Sequence, residues 1–229
     1  MRKRPAALVP FFFFALAGCS QQSADQFTSA INTALAGQPA CVVVDPMSIT
    51  SFPMKLVTEA QPTSSLCRTA DPKVIRRLDA LTQIGLLSAS RVAGTKNINM
   101  PPVLGGGPCR LVTTTYDVTP EGRKSFSMIL VKNLLGETRP NARFCYAKKQ
   151  VAKVARWEDV MSNKDDVMVS YTYKLIDRKA WSREKVFLTS FPEAQQVIQG
   201  ADSQVRHREV VRNQNGWAAV PSDMEDVQW

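Results

Sequence analysis

Residues 167–176 read Val-Met-Val-Ser-Tyr-Thr-Tyr-Lys-Leu-Ile. Val167, Val169, Tyr171, Tyr173 and Leu175 alternate with Met168, Ser170, Thr172, Lys174 and Ile176, the two-residue period of a sheet strand with one buried face. Residues 144–157, just before it, are basic and extended in character, and Asn163-Lys164-Asp165-Asp166 supplies turn residues between the two. An antiparallel hairpin is expected. Toward the C-terminus, 184–199 reads as an irregular or helical crossover, with its helix expected from Pro192 to Gln199. Val205 to Val211 and Trp217 to Val220 flank Asn213-Gln214-Asn215-Gly216 as a terminal hairpin, and the last residues read as frayed. Antiparallel strands with one crossover helix indicate an α+β module.

Toward the N-terminus the period changes. Asp71 suits an N-cap and Pro72 the first helical position, Val74, Ile75, Leu78 and Leu81 form an apolar stripe, and Gly85 suits a left-handed C-terminal stop. A strand beginning at Arg91 to Ala93, a long loop over 99–108 containing Gly105-Gly106-Gly107, and a Thr-rich strand from Leu111 to Val118 follow. Residues 46–72 are rich in Pro, Ser and Thr, so an irregular connection with one short strand near Met54 to Val57 is expected. Cys41 to Val44 reads as a short apolar strand. In 23–36, Phe27, Ile31 and Leu35 mark one face of a helix. Its polar residues Gln26, Thr28 and Asn32 lack the positive charge of a membrane-surface helix, so the apolar face is expected to pack in a core.

The order helix, Gly85-Leu86-Leu87, strand, loop, strand, then Tyr116-Asp117-Val118-Thr119-Pro120-Glu121-Gly122-Arg123 resembles the last helix and wing of a winged-helix domain, over roughly residues 71–126. The resemblance implies an N-terminal helix and winged-helix-like unit over 19–136, followed by a small antiparallel sheet with one crossover helix over 137–229. In a DNA-binding member of that family the helix at 71–84 would enter the major groove with Lys73, Arg76 and Arg77 on its solvent face. More broadly the whole mature chain, through Phe144-Cys145-Tyr146, Tyr171-Thr172-Tyr173-Lys174 and Gly216-Trp217, is similar to a group of uncharacterised proteobacterial lipoproteins, a resemblance that brings no activity with it.

The first residues point the same way. Arg2, Lys3 and Arg4 precede an apolar run from Ala6 to Ala17, the length of a signal-peptide core and too short to span a bilayer. Leu16-Ala17-Gly18-Cys19 resembles the lipobox of bacterial lipoproteins. That resemblance implies removal of a signal peptide over 1–18, diacylglyceryl and acyl (palmitate-type) modification at Cys19, and attachment to membrane lipid. Ser20 after the modified position resembles the signal for the outer membrane, which implies a periplasm-facing protein. Removing 1–18 takes three basic residues and leaves a net charge of +6. Such a surface suits anionic lipid, lipopolysaccharide, peptidoglycan or an acidic envelope protein. Export excludes nucleic acid as the expected partner.

With Cys19 lipidated, Cys41, Cys67, Cys109 and Cys145 remain, an even number for an oxidising compartment. Three connectivities are open. Moderate loops favour Cys41 with Cys67 and Cys109 with Cys145, and four buried free thiols are the alternative. No zinc spacing occurs, and the one histidine, His207, lies between Arg206 and Arg208 in an expected strand. The serine-hydrolase elbow, zincin and phosphate-loop motifs are absent, so no catalytic residue, metal or cofactor is expected. Glu158-Asp159 and Asp165-Asp166 read as turn acids. The aromatic residues Tyr171, Tyr173, Trp157, Trp181 and Trp217 read as core before they read as a binding floor.

Arg206, Arg208 and Arg212 fall on one strand face by alternation, and Lys148, Lys149, Lys153 and Arg156 crowd another segment. These seven are the candidate basic binding face. The expected role is a non-catalytic binding or scaffold module in the cell envelope. The alternative is a periplasmic hydrolase or small-ligand module using a cleft between the two halves.

Overall fold

The computed structural model describes residues 18–45, 51–61, 66–104, 106–132, 138–160 and 163–221. Five helices, α1 (Gly18–Ala36), α2 (Pro72–Gln83), α3 (Pro120–Arg123), α4 (Lys185–Ser190) and α5 (Pro192–Gly200), accompany two antiparallel sheets among these residues. The larger contains β1 (Ala40–Val43), β5 (Phe126–Lys132), β6 (Thr138–Val160), β7 (Asn163–Ile176), β8 (Arg206–Asn213) and β9 (Gly216–Ala219). Its order is β1-β6-β7-β8-β9, with β5 also on β6. The smaller is β2 (Met54–Gln61), β4 (Gly107–Val118) and β3 (Leu87–Ile98) in that spatial order.

The larger sheet curls around α1. Phe27 of α1 meets the Trp157 ring of β6 at 5.5 Å and the Trp217 ring of β9 at 5.0 Å, both edge-on. Those strands lie at opposite ends of the β6-β7-β8-β9 run, so contact of both with one side chain requires strong curvature. Bulges supply part of it: the β6 pairing with β7 skips Ala152 and Ala155. Val151, Val154 and Trp157 thereby pair with the inward Tyr173, Tyr171 and Val169. Asn32 adds a polar tie, its Oδ1 accepting the Val151 N–H at 2.8 Å. The aromatic residues are core: Tyr171 and Tyr173 are buried, and Trp181 packs on Tyr146 and Phe187.

Helix α2 is framed by its own sequence. Asp71 accepts the Lys73 N–H at 2.7 Å. At the other end the Leu86 N–H reaches Leu81 O and the Gly85 N–H reaches Thr82 O, with Gly85 at φ 81°, a Schellman stop that glycine fits best. Thr119 then ties this stop to α3, donating to Gly85 O at 2.7 Å and accepting the Gly122 N–H at 2.9 Å. A Cβ at Gly122 would lie 2.0 Å from Leu86 O, so the close approach requires glycine there.

The expected architecture is overturned. The chain is mostly sheet, with a large curled antiparallel sheet and few helices, and does not form an N-terminal helix plus winged-helix-like α+β arrangement. The physical reason lies in 54–61. Instead of an irregular connection with a short strand, these residues form an eight-residue strand along the edge of β4. Helix α2 packs on α4 from late in the chain. Elements on either side of residue 136 also interlock, since β1 and β5 both pair with β6. Asn163, expected in the reversal at 163–166, already pairs with Val160.

The favoured cysteine pairing is overturned as well. The disulfides are Cys41–Cys145 and Cys67–Cys109, spanning 104 and 42 residues. Cys41 and Cys145 are cross-strand partners of β1 and β6, a juxtaposition set by a register that sequence separation conceals. Among the described residues no helix is long and apolar enough to cross a membrane.

Candidate functional site

Paired residues of an antiparallel ladder share a face, so the register sorts the candidate basic residues. Arg206 pairs with Tyr171 and Arg208 with Val169, which places both on the inner face. Arg206 lies over the Tyr173 ring at 5.8 Å. Burial raises the Tyr173 hydroxyl above its ordinary pKa, and the hydrogen bond and charge of Arg206 oppose that shift. Arg208 is only 3% exposed, donating to Val220 O and Gln38 Oε1, each at 3.3 Å. Arg212 lies at the strand end, its guanidinium 6.0 Å from the Trp217 ring centre. The three arginines do share the inner face, but only Arg208 is buried there, while Arg206 is half-buried and Arg212, at the strand end, is exposed.

Lys148, Lys153 and Arg156 take the opposite side. They pair with Ile176, Thr172 and Ser170, all of them on the outward set of β7, and all three cations are exposed. The skipped alanines make this possible by letting Val154 and Trp157 turn inward while Lys153 and Arg156 turn out. Lys149 pairs with Leu175 on the inner side and is half-buried, so it leaves the group. Lys174, paired with Gln150, joins it. Lys174 occupies a polar position of the stretch 167–176, so its membership was readable from the alternation. Lys148 also meets Asp177 at 2.8 Å, with both side chains exposed. That contact, with the charge of Lys148, holds the Asp177 carboxyl below the ordinary carboxylate range.

His207 pairs with Ser170 on the same outer face, its Nδ1 3.0 Å from Ser170 Oγ. The serine is 4% exposed and the histidine beside it is exposed. Neither residue lines the grooves described below. The acidic pairs Glu158-Asp159 and Asp165-Asp166 build no metal cage, since no cluster of three or more His, Cys, Asp or Glu side chains suited to a metal occurs among the described residues.

Arg77, expected on the solvent face of α2, is buried at 4% exposure. Its Nη2 meets Glu193 Oε1 at 2.7 Å, its Nη1 donates to Val43 O at 3.1 Å, and its guanidinium lies 5.0 Å from the Phe191 ring centre. It therefore joins α2, β1 and α5 and is not available for contact with any ligand. Nothing in the local sequence signals this, because Glu193 lies 116 residues away.

Two grooves are relevant. One of about 570 Å³ lies between α1 and β9, lined by Ala30, Ala34, Arg208, Trp217, Ala218 and Ala219 among others. The other, of about 580 Å³, lies on the smaller sheet beside Glu59, Ala93, Arg110 and Val112. Cys19 belongs to the backbone of α1, which places the candidate lipidation position within about a dozen ångströms of Phe27 along the helix axis. The cysteine side chain and residues 1–17 of the expected signal peptide 1–18 lie outside the described residues.

No family model, no curated protein and no solved structure matches this chain.

Proposed function

We propose that the chain is a lipid-tethered protein of the bacterial cell envelope that binds an anionic envelope component without catalysing a reaction. The observation that carries the binding role is the outer face of the larger sheet, where bulges bring Lys148, Lys153, Arg156 and Lys174 to one side. Four exposed cations there suit lipopolysaccharide phosphates, peptidoglycan carboxylates or an acidic envelope protein. Two disulfides support an oxidising compartment. The sequence around Cys19 supports the acyl tether, and Ser20 supports the outer membrane.

The groove between α1 and β9 favours a second reading, a small-ligand module, because Arg208 and Trp217 are among the residues that line it. The two separate experimentally. Lys153→Glu with Arg156→Glu and Lys174→Glu is expected to weaken binding to purified lipopolysaccharide or peptidoglycan by about a hundredfold at low salt. The thermal midpoint should barely change. Equal binding by the variant overturns the assignment of the outer face. Mass spectrometry of the protein from its own cells tests the tether: an unmodified Cys19 overturns it.

A further inference from the structure

The β3–β4 hairpin ends in apolar side chains that are exposed among the described residues. Val103 is 91% exposed, Leu104 60% and Met100 44%, and Leu66 beside the Cys67 disulfide is 38% exposed. The tip is held in shape by its own backbone: the Leu104 and Gly106 N–H groups both donate to Pro101 O, at 2.8 and 3.1 Å. Below it the Cys67–Cys109 bond crosslinks the hairpin to the chain entering α2. Three exposed cations sit at this level. Lys96 is the cross-strand partner of Cys109, Arg110 follows Cys109, and Arg68 follows Cys67. From Val92 to Val112, and again from Leu66 to Ala70, there is no acidic residue.

We infer that this hairpin tip is a second membrane contact, seating Val103, Leu104 and Met100 among the acyl chains of an anionic bilayer with Arg68, Lys96 and Arg110 at the headgroups. Two features select lipid over protein. A protruding apolar tip needs a matching pocket in a protein, whereas a bilayer yields around it. Apolar residues at the tip with cations set behind them, and the carboxylate of Glu59 further back beside Arg110, follow the depth profile of an anionic leaflet, hydrocarbon below phosphate. The inference rests on the tethered reading only in that lipid is then within reach.

The test uses the full mature chain with Cys19→Ala, which has no acyl group, sedimented with vesicles of phosphatidylcholine alone or mixed with phosphatidylglycerol. Binding to the mixed vesicles is expected, with weaker binding to the neutral ones. Val103→Asp with Leu104→Asp should reduce it at least about tenfold, because two apolar side chains are replaced by repelled charges. Lys96→Gln with Arg110→Gln should remove most of the preference for the anionic mixture. All four positions are exposed, so intact disulfides and unchanged circular dichroism establish folding. The proposal is overturned if the unacylated chain ignores mixed vesicles, if the tip variant sediments like the parent, or if Lys153→Glu with Arg156→Glu abolishes binding instead. A failure here leaves acylation at Cys19 untouched, and an unmodified Cys19 in cells leaves vesicle binding untouched, so the two readings fail separately.

Discussion

The two sheets use the same ladder and treat their side chains in opposite ways. In β7 the inward residues Val167, Val169, Tyr171 and Tyr173 are all at most 3% exposed. In β3 every residue from Ser88 to Asn97 is exposed, although the strand is paired with β4 along its whole length. Pairing fixes a strand's course, but only a second layer gives it a buried face. The larger sheet has α1 as that layer. Among the described residues the distal part of the smaller sheet has none and is held by its ladder and one disulfide.

Removing the two disulfides separately should expose that difference most. Replacing Cys41 and Cys145 by serine opens a 104-residue loop through the core, and chain entropy puts the loss at about 4–5 kcal/mol. Replacing Cys67 and Cys109 opens 42 residues, about 4 kcal/mol by the same reckoning. If the hairpin opens apart from the core, the second loss will fall largely on amide exchange in β3 and β4, with a smaller shift of the global urea midpoint. Equal midpoint shifts would show one cooperative unit instead.

A smaller effect separates the two regions by single side chains. Phe27→Ala leaves Trp157 and Trp217 facing a cavity and should cost about 3–5 kcal/mol. Val92→Ala, at a position 64% exposed, should stay within about 0.5 kcal/mol. Chemical denaturation of both variants measures the contrast, and comparable losses would mean that something covers the hairpin.

The same contrast explains what the sequence revealed. Local rules succeeded: the Asp71 cap, the Gly85 stop, the Pro192 helix start and the alternation at 167–175 concern residues a few positions apart. The architecture was lost where distant segments meet. Cys41 faces Cys145 only because β1 pairs with β6, and Arg77 is buried only because α5 brings Glu193 to it. In β6 the inward residues fall at 151, 154 and 157, a three-residue spacing produced by skipped alanines that strict alternation does not describe. Of the candidate basic face, the alternation of Arg206, Arg208 and Arg212 was legible. Which side of the sheet α1 would cover was not, and that side is why Arg208 is buried while Lys153 and Arg156 meet solvent.

The smallest expected effect concerns an exposed pair on the outer face. Asp177 has φ 54°, a left-handed conformation that Asp and Asn both tolerate, so Asp177→Asn removes the charge without forcing the backbone. Its carboxylate accepts a hydrogen bond from Lys148 Nζ and feels that cation's charge, with a further contribution from Lys179, and its pKa falls below the ordinary 3.8. A folded-state pKa lower than the unfolded one means that the unfolded chain takes up protons first on acidification. The pair's contribution is therefore complete above the unfolded value and is lost as pH falls through the folded one. Both side chains are more than 60% exposed, so water and salt screen the interaction heavily. The thermal midpoint at neutral pH should hardly differ between parent and Asp177→Asn. Below about pH 4 the parent should lose slightly more stability than the variant. Added salt should shrink that difference, and a carboxyl carbon titration should place Asp177 below the ordinary carboxylate range. A parent midpoint that fell no faster in acid than the variant's would mean that Lys148 is free on the outer face, which would strengthen the positive strip proposed there.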